Sequence, residues 1–226
     1  MKITWHGQAC FAIESREAVR IYTDPYDPEK TGFKPFIAPA DIVIKSSSND
    51  DYHDNDHLVP RRKDATVIDA LQLSQHTESC TVRGIEFMAI EAMESHDHPS
   101  GHPDQNAMYR FAIDDLTVGH MGDMGNPFSA SQLDFFRGVD ILLSHAGGFP
   151  VIEIAELQRI IAHLEPPLVI PMHFRTLCYK PQNMHFITEF LQLFDADQVD
   201  FACSPSVELT RGDLPGSTRA LVLSYV

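Results

Sequence analysis

From residue 2 to residue 118, apolar and polar side chains alternate with a period of two, in short runs broken by turn residues. Only half-buried strands satisfy that period. The runs fall at 2–5, 10–14, 19–24, 41–46, 66–69, 80–83, 85–92, 107–113 and 116–118. Asp114-Asp115 between the last two reads as a tight turn, so these two are expected to pair antiparallel. Beyond residue 128 the period becomes helical. Ser129 is placed to cap a helix over 130–137 that Gly138 ends, and a strand at 139–144 follows. Ile152, Ala155, Leu157, Ile160, Ile161 and Leu164 form one apolar stripe on a second helix, which Pro166-Pro167 stops before a strand at 168–170. Pro181 is expected to open a third helix carrying Phe186, Ile187, Phe190, Leu191 and Phe194. Strands return at 199–203, 207–209 and 220–224.

Strands first, then strand–helix alternation, with no Gly/Ser linker and no repeat period, predict an α/β fold in one domain over 1–226, with helices covering sheets. Hydrophobic residues make up 43% of the chain, enough for a sizeable core. The longest stretches without a period, 25–39, 47–63 and 97–106, are expected as walls of a site.

Charge narrows the partners. A net −15 repels a polyanion over most of the surface, and the one compact basic cluster, Arg61-Arg62-Lys63, reads as a solvated turn. Nucleic acid is therefore not an expected partner. No apolar run approaches the roughly 20 residues that span a bilayer, so no membrane partner is expected either. Cys10, Cys80, Cys178 and Cys203 are scattered without CxxC spacing, and no signal-peptide core precedes the first strand. Reduced thiols filling the core of a cytoplasmic protein are the expectation.

Chemistry-bearing residues collect where apolar runs end. His173 follows Leu168-Val169-Ile170-Pro171-Met172, the carboxyl end of a buried strand, where α/β sheets place their sites. Asp123 stands between Gly122 and Gly125 just after another strand, in a turn tight enough to bring a carboxylate to a cation. His96, His98 and His102 crowd one loop, and His96 lies nearest the preceding strand. The stretch Ser46-Ser47-Ser48-Asn49-Asp50-Asp51-Tyr52-His53, after a further strand, is dense in oxygen and nitrogen donors. Imidazoles and carboxylates delivered from separate strand ends are what a metal cage requires. As plain structure, each is a solvated loop or an Asx turn.

These stretches, with 1–11, Thr23-Asp24-Pro25-Tyr26, Ala40-Asp41-Ile42-Val43-Ile44 and Ala146-Gly147-Gly148-Phe149, make the chain similar to the metallo-β-lactamase superfamily. It looks most like the branch of small metal-dependent hydrolases that includes ascorbate-6-phosphate lactonase. The resemblance implies a four-layer αββα sandwich with one or two divalent ions, zinc or manganese. It also implies His96, Asp123 and His173 as ligands. The family's His-x-His-x-Asp-His motif departs here: without a gap Ser47, Asn49, Asp51 and Tyr52 take its places, and a one-residue insertion brings His53 onto the last histidine and Asp50 onto the second. At the N-terminus Gln8 stands in Gly7-Gln8-Ala9-Cys10 where the family has histidine.

The expected ligand set is thus Asp51, His53, His96, Asp123 and His173. Asp51 also serves as the catalytic carboxylate, orienting or deprotonating the attacking water. The expected substrate is a small-molecule lactone, ester or phosphoester. Loss of imidazoles from the first motif leaves a second reading open, a metal-depleted pseudo-enzyme acting as a binding or scaffold protein, and self-association into a homo-oligomer is left open as well.

Overall fold

A computed structural model describes residues 1–48, 50, 52–76, 79–94, 106–148 and 151–225. Two mixed sheets pack face to face. The first has six strands in the order β13 (Ser206–Glu208), β1 (Lys2–Gly7), β2 (Cys10–Glu14), β3 (Arg20–Thr23), β4 (Ala40–Lys45) and β5 (Arg61–Asp69). The second has eight, ordered β12 (Val199–Phe201), β14 (Arg219–Val222), β11 (Leu168–Met172), β10 (Ile141–His145), β9 (Leu116–His120), β8 (Asn106–Ile113), β7 (Ile85–Ala92) and β6 (Ser79–Val82). One apolar cluster joins Ile3, Phe11, Ile13 and Ile42 of the first to Phe87, Phe111, Leu142 and Val169 of the second. Flanking helices complete the expected αββα sandwich.

The two sheets share a division of labour. Antiparallel strands, where period-two alternation is clearest, form β1–β2–β3 and β6–β7–β8–β9. The Asp114-Asp115 turn joins β8 and β9 as expected, with Ile113 opposite Leu116. Parallel pairs β3–β4, β9–β10 and β10–β11 lie buried on both faces, so their sequences run nearly continuously apolar. The site grows from the carboxyl ends of these parallel strands.

Local signals account for most elements. Ser129 caps the helix α3 (Ala130–Phe135) in a reciprocal box: its hydroxyl accepts from the Gln132 N–H at 3.3 Å, and the Gln132 Oε1 accepts from the Ser129 N–H at 2.8 Å. The second helix, α4 (Ile154–Leu164), buries Leu157, Ile160 and Ile161.

Four expectations are corrected. Pro181 opens no helix; the last one, α5, spans Ile187–Leu191, because the backbone before it bridges elsewhere. His185 donates to the Gly147 carbonyl at 2.8 Å and accepts from Arg175 at 2.9 Å. Arg61-Arg62-Lys63 is no turn but the exposed start of edge strand β5, where Arg61 pairs with Asp56 and Arg62 with Asp41. The 25–39 stretch is partly ordered as the helix α1 (Pro28–Thr31), capped by Asp27, beside an aromatic cluster of Tyr26, Phe33 and Phe36. Cys203 is exposed rather than core filler, although Cys10 is fully buried. Among the described residues no helix is long and apolar enough to cross a membrane.

His6 gives this packing a pH dependence. Its ring lies 5.2 Å from that of Tyr22 and 5.8 Å from that of Phe36. Burial, helped by the Arg20 guanidinium, lowers its pKa to about 4. Below its ordinary pKa near 6.5 the unfolded chain takes up a proton that the folded one refuses, so stability falls with pH until about 4, by about 3 kcal/mol in all. His6→Phe is expected to remove that slope. Urea midpoints of both proteins at pH 7 and pH 4.5 test this, and an equal acid loss in the two would refute it.

Candidate metal centre

Three strand ends and one long loop converge between the sheets. β9 runs into the turn carrying Asp123, β11 into His173, β3 into Asp24, and the loop after β4 carries Asp50 and His53. The His53 Nε2 atom lies 3.3 Å from the His173 Nε2 and 3.5 Å from the Asp123 Oδ2, and His173 Nε2 lies 3.3 Å from Asp123 Oδ1. All three residues are buried. Ligand atoms 2.0–2.1 Å from a tetrahedral cation stand roughly 3.3–3.4 Å apart, and the two imidazoles and the Asp123 carboxylate, which faces His173 with one oxygen and His53 with the other, form a triangle of groups at about that spacing. Among the described residues, none donates a hydrogen bond to the buried Asp123 Oδ1. Two imidazoles and a carboxylate on such a triangle, with a carboxylate oxygen left without a donor, fit a divalent cation.

Each donor is aimed by its surroundings. The Asp24 Oδ2 accepts from the His53 Nδ1 at 3.0 Å, which holds a ring proton on Nδ1 and turns Nε2 toward the other two donors. Asp24 also accepts from the Ser46 N–H at 2.8 Å, the Ser46 hydroxyl at 2.6 Å and the Tyr109 hydroxyl at 3.0 Å. Burial works against its charge, but the His120 and His53 rings and these donors hold it below the usual carboxylate range.

The Asp123 turn is fixed by side chains at three successive amides. Gly122 N–H donates to the His120 Nδ1 at 3.0 Å, Asp123 N–H to the Asn106 Oδ1 at 3.0 Å, and Met124 N–H to the His145 Nε2 at 3.1 Å. Gly122 has φ +62°, and a Cβ there would strike the Ala107 carbonyl, so the tight turn expected before Asp123 does need glycine.

Strain and charge concentrate here too. Gln8 (φ 52°), Asp24 (φ 36°) and His173 (φ 54°) all adopt left-handed backbone, a conformation that costs non-glycine residues about 1–3 kcal/mol each. Two of them are tied together, the His173 N–H donating to the Gln8 carbonyl at 3.0 Å. Burial alone would lower the His53 pKa, but the Asp123, Asp50 and Asp24 carboxylates outweigh it and raise it. Burial raises Asp123 as well, against the pull of His53. Without a cation, the pair thus retains protons in the place where a cation would bring positive charge. His173 and His145 are held well below the ordinary value, first by burial and then by neighbouring imidazoles.

Of the residues expected from sequence, His53, Asp123 and His173 come together, whereas Asp51 and His96 lie outside the described residues, as do His98 and His102. His53, the last position of the register with one inserted residue, enters the triangle, and Asp50, the second position of that register, has Oδ2 at 3.8 Å from His53 Nε2; Asp51, on which the ungapped register rests, is among the residues not described. Sequence reasoning passed over the roles of Asp24 and His145, although each stands at the carboxyl end of a buried strand, the same signal that marked His173.

A family model described as a beta-lactamase superfamily domain matches residues 2–173. A UPF0173 protein of Pyrococcus abyssi is 29% identical over 187 residues, covering 78% of this chain and 84% of its own. A UPF0173 metal-dependent hydrolase of Thermoplasma acidophilum is 26% identical over 192 residues, covering 78% and 84%. A crystal structure from Thermotoga maritima, described as a candidate zinc-dependent hydrolase of the metallo-beta-lactamase superfamily, superposes with a TM-score of 0.78 at 28% identity, covering 100% of this chain and 99% of that one.

Proposed function

The chain belongs to the metallo-β-lactamase superfamily, and from that premise we propose that it is a metal-dependent hydrolase whose cation is held by His53, Asp123 and His173. The observation that carries this reading is the meeting of three buried donor groups from separate parts of the chain: His53 and His173 Nε2 lie 3.3 Å apart, and the Asp123 carboxylate faces His173 with Oδ1 at 3.3 Å and His53 with Oδ2 at 3.5 Å. Relatives named metal-dependent hydrolases support it. Asp51 and His96 remain part of the proposal, Asp51 as a ligand and the catalytic carboxylate and His96 as a further imidazole. The ion is zinc or manganese, with one or two per chain, and the substrate is a small-molecule lactone, ester or phosphoester.

A divalent cation held by His53, Asp123 and His173 would supply a nucleophile by lowering the pKa of water to about 7, and would polarise the carbonyl or phosphoryl oxygen under attack. The chain's own residues do the rest. Asp24 keeps the proton on the far side of the His53 ring. Asp123, fixed through three backbone amides, holds its carboxylate still, so no reorganisation is needed as charge develops. Asp50, less buried than the three donors, stands beside His53 with Oδ2 3.8 Å from its Nε2 and adds negative charge to the place a cation would occupy. The buried donors exclude bulk solvent from the reacting atoms.

Metal content of protein purified without chelator, followed by thermal unfolding with Zn²⁺, Mn²⁺ or EDTA, tests the proposal. An ion at 100 times its Kd adds about 2.7 kcal/mol of stability, and His173→Ala is expected to erase that gain. A panel of lactones, carboxylic esters and phosphoesters, each assayed with and without metal, then selects the substrate class. Less than about half an equivalent of metal, with no stabilisation by any ion, would favour the metal-free binding protein instead.

A further inference from the structure

Gln8 touches the same triangle from a fourth direction. Its side-chain amide lies 2.6 Å from the His173 Nε2, nearer than either His53 or Asp123. Its other amide atom, Oε1, is buried with no hydrogen-bond partner among the described residues, in a residue 2% exposed. The backbone holds it there: the Gln8 carbonyl accepts from the Trp5 indole N–H at 3.0 Å and from the His173 N–H at 3.0 Å. The left-handed φ of 52° adds to the cost of the placement.

Resting on the metal-centre reading above, we infer that Gln8 is itself a donor of the site and binds the cation through its amide oxygen beside His53, Asp123 and His173. A ring nitrogen bonds along one in-plane direction, and a separation of 2.6 Å puts the Gln8 amide on that side of His173. A cation bound to this Nε2 takes the place of its bond to the Gln8 amide. If the amide stayed as it is, its NH₂ would then face a cation while its oxygen remained buried and unpaired, two penalties in one group. Withdrawal of the amide from that direction, with a half-turn that exchanges nitrogen for oxygen at nearly equal volume, makes room for the cation and removes both.

An amide oxygen is a hard donor, so its inclusion shifts the preference of a two-imidazole site away from zinc and toward manganese. A histidine at the same place would shift it back.

The test compares the whole protein with Gln8→Ala, Gln8→Glu and Gln8→His by calorimetric titration with Mn²⁺ and Zn²⁺ and by the visible absorption of the Co²⁺ form. Gln8→Ala is expected to weaken Mn²⁺ binding by about tenfold or more and to change the Co²⁺ spectrum, while Gln8→Glu retains or tightens binding and Gln8→His moves selectivity toward Zn²⁺. A glutamine that merely hydrogen-bonds the ring predicts the opposite for Gln8→Glu, because a carboxylate would clamp a proton on His173 Nε2 and weaken the site. Affinities within twofold of wild type and unchanged Co²⁺ spectra in all three variants would overturn the inference and leave the metal centre standing. A wild-type protein that takes up none of these ions would overturn both. Should Gln8→Ala not fold, the Gln8→Glu spectrum and affinity decide alone.

Discussion

Asp123→Asn removes tight metal binding and metal-dependent hydrolysis together, yet leaves the metal-free protein at least as stable as the wild type. The carboxylate is the single anion of the donor triangle, so its loss is expected to weaken the cation's hold by at least about a hundredfold, or about 2.7 kcal/mol. The second half of the prediction comes from burial. The carboxyl is raised above its ordinary range because burial opposes its ionisation, and Asp50, Glu94 and Asp24 add to this against the pull of His53. A group whose folded pKa is raised contributes most at low pH and loses that contribution as pH rises past the ordinary carboxylate range near 4. An amide of the same shape never ionises, and the bond from the Asp123 N–H to Asn106 survives because it belongs to the backbone. The variant's advantage in EDTA should therefore be larger at pH 8 than at pH 5. Urea unfolding at both values, with equilibrium dialysis against Mn²⁺ and Zn²⁺, measures the two halves. Metal binding at wild-type affinity would contradict the first, and a loss above about 2 kcal/mol without metal the second.

How much of this centre could be seen in the sequence depends on the range over which each determinant acts. Asp123 and His173 were legible because a buried strand leaves a continuous apolar run, and the first polar residue after it stands at the sheet edge. By the same logic Asp24 and His145 were equally available, and only their lack of an obvious partner in sequence kept them from notice. His53 required an inserted residue, since the loop after β4 carries no apolar period to fix its register. The bond between Gln8 and His173 joins residues 165 positions apart and has no local trace. Nor does left-handed backbone at Gln8, Asp24 and His173, because none of these is the glycine that would announce it. The strained turns are set by tertiary bonds, such as the one from the Asp24 N–H to the Ile44 carbonyl at 2.9 Å.

Elsewhere in the fold the same rule separates success from error. The Ser129 box and the stripe on α4 are properties of a few neighbouring residues, so they were readable. Pro181 resembled a helix start, but the backbone at 185 is claimed by Gly147 and Arg175, partners from other elements. Arg61-Arg62-Lys63 looked like a turn because an exposed edge strand has no buried face to impose alternation. The short helix α2 (Ala70–His76) was passed over because it follows β5 directly: its cap, Asp69, whose Oδ1 accepts from the Gln72 N–H at 3.0 Å, is also the last residue of the strand.

Asp24→Ala should damage fold and site at once. Four donors converge on this carboxylate: the Ser46 N–H and hydroxyl, the Tyr109 hydroxyl and the His53 Nδ1. Asp24 is itself fully buried, so truncation leaves these groups without an acceptor where water does not reach. Breaking a buried charged pair in this way costs about 3–5 kcal/mol. The His53 ring also loses the partner that fixes its tautomer, which is expected to weaken metal binding by about 10–100-fold. Asp24→Asn separates the two effects. Its amide oxygen still satisfies part of the network, so the stability loss is smaller than for alanine. If its NH₂ faces His53, however, it donates to Nδ1 and drives the ring proton onto Nε2, the atom meant for the cation. The asparagine variant should therefore fold nearly as well as wild type in EDTA yet gain little from added Mn²⁺ or Zn²⁺. Chemical denaturation with and without metal measures both quantities, and a variant that keeps the full metal-induced gain would show that Asp24 serves the fold alone.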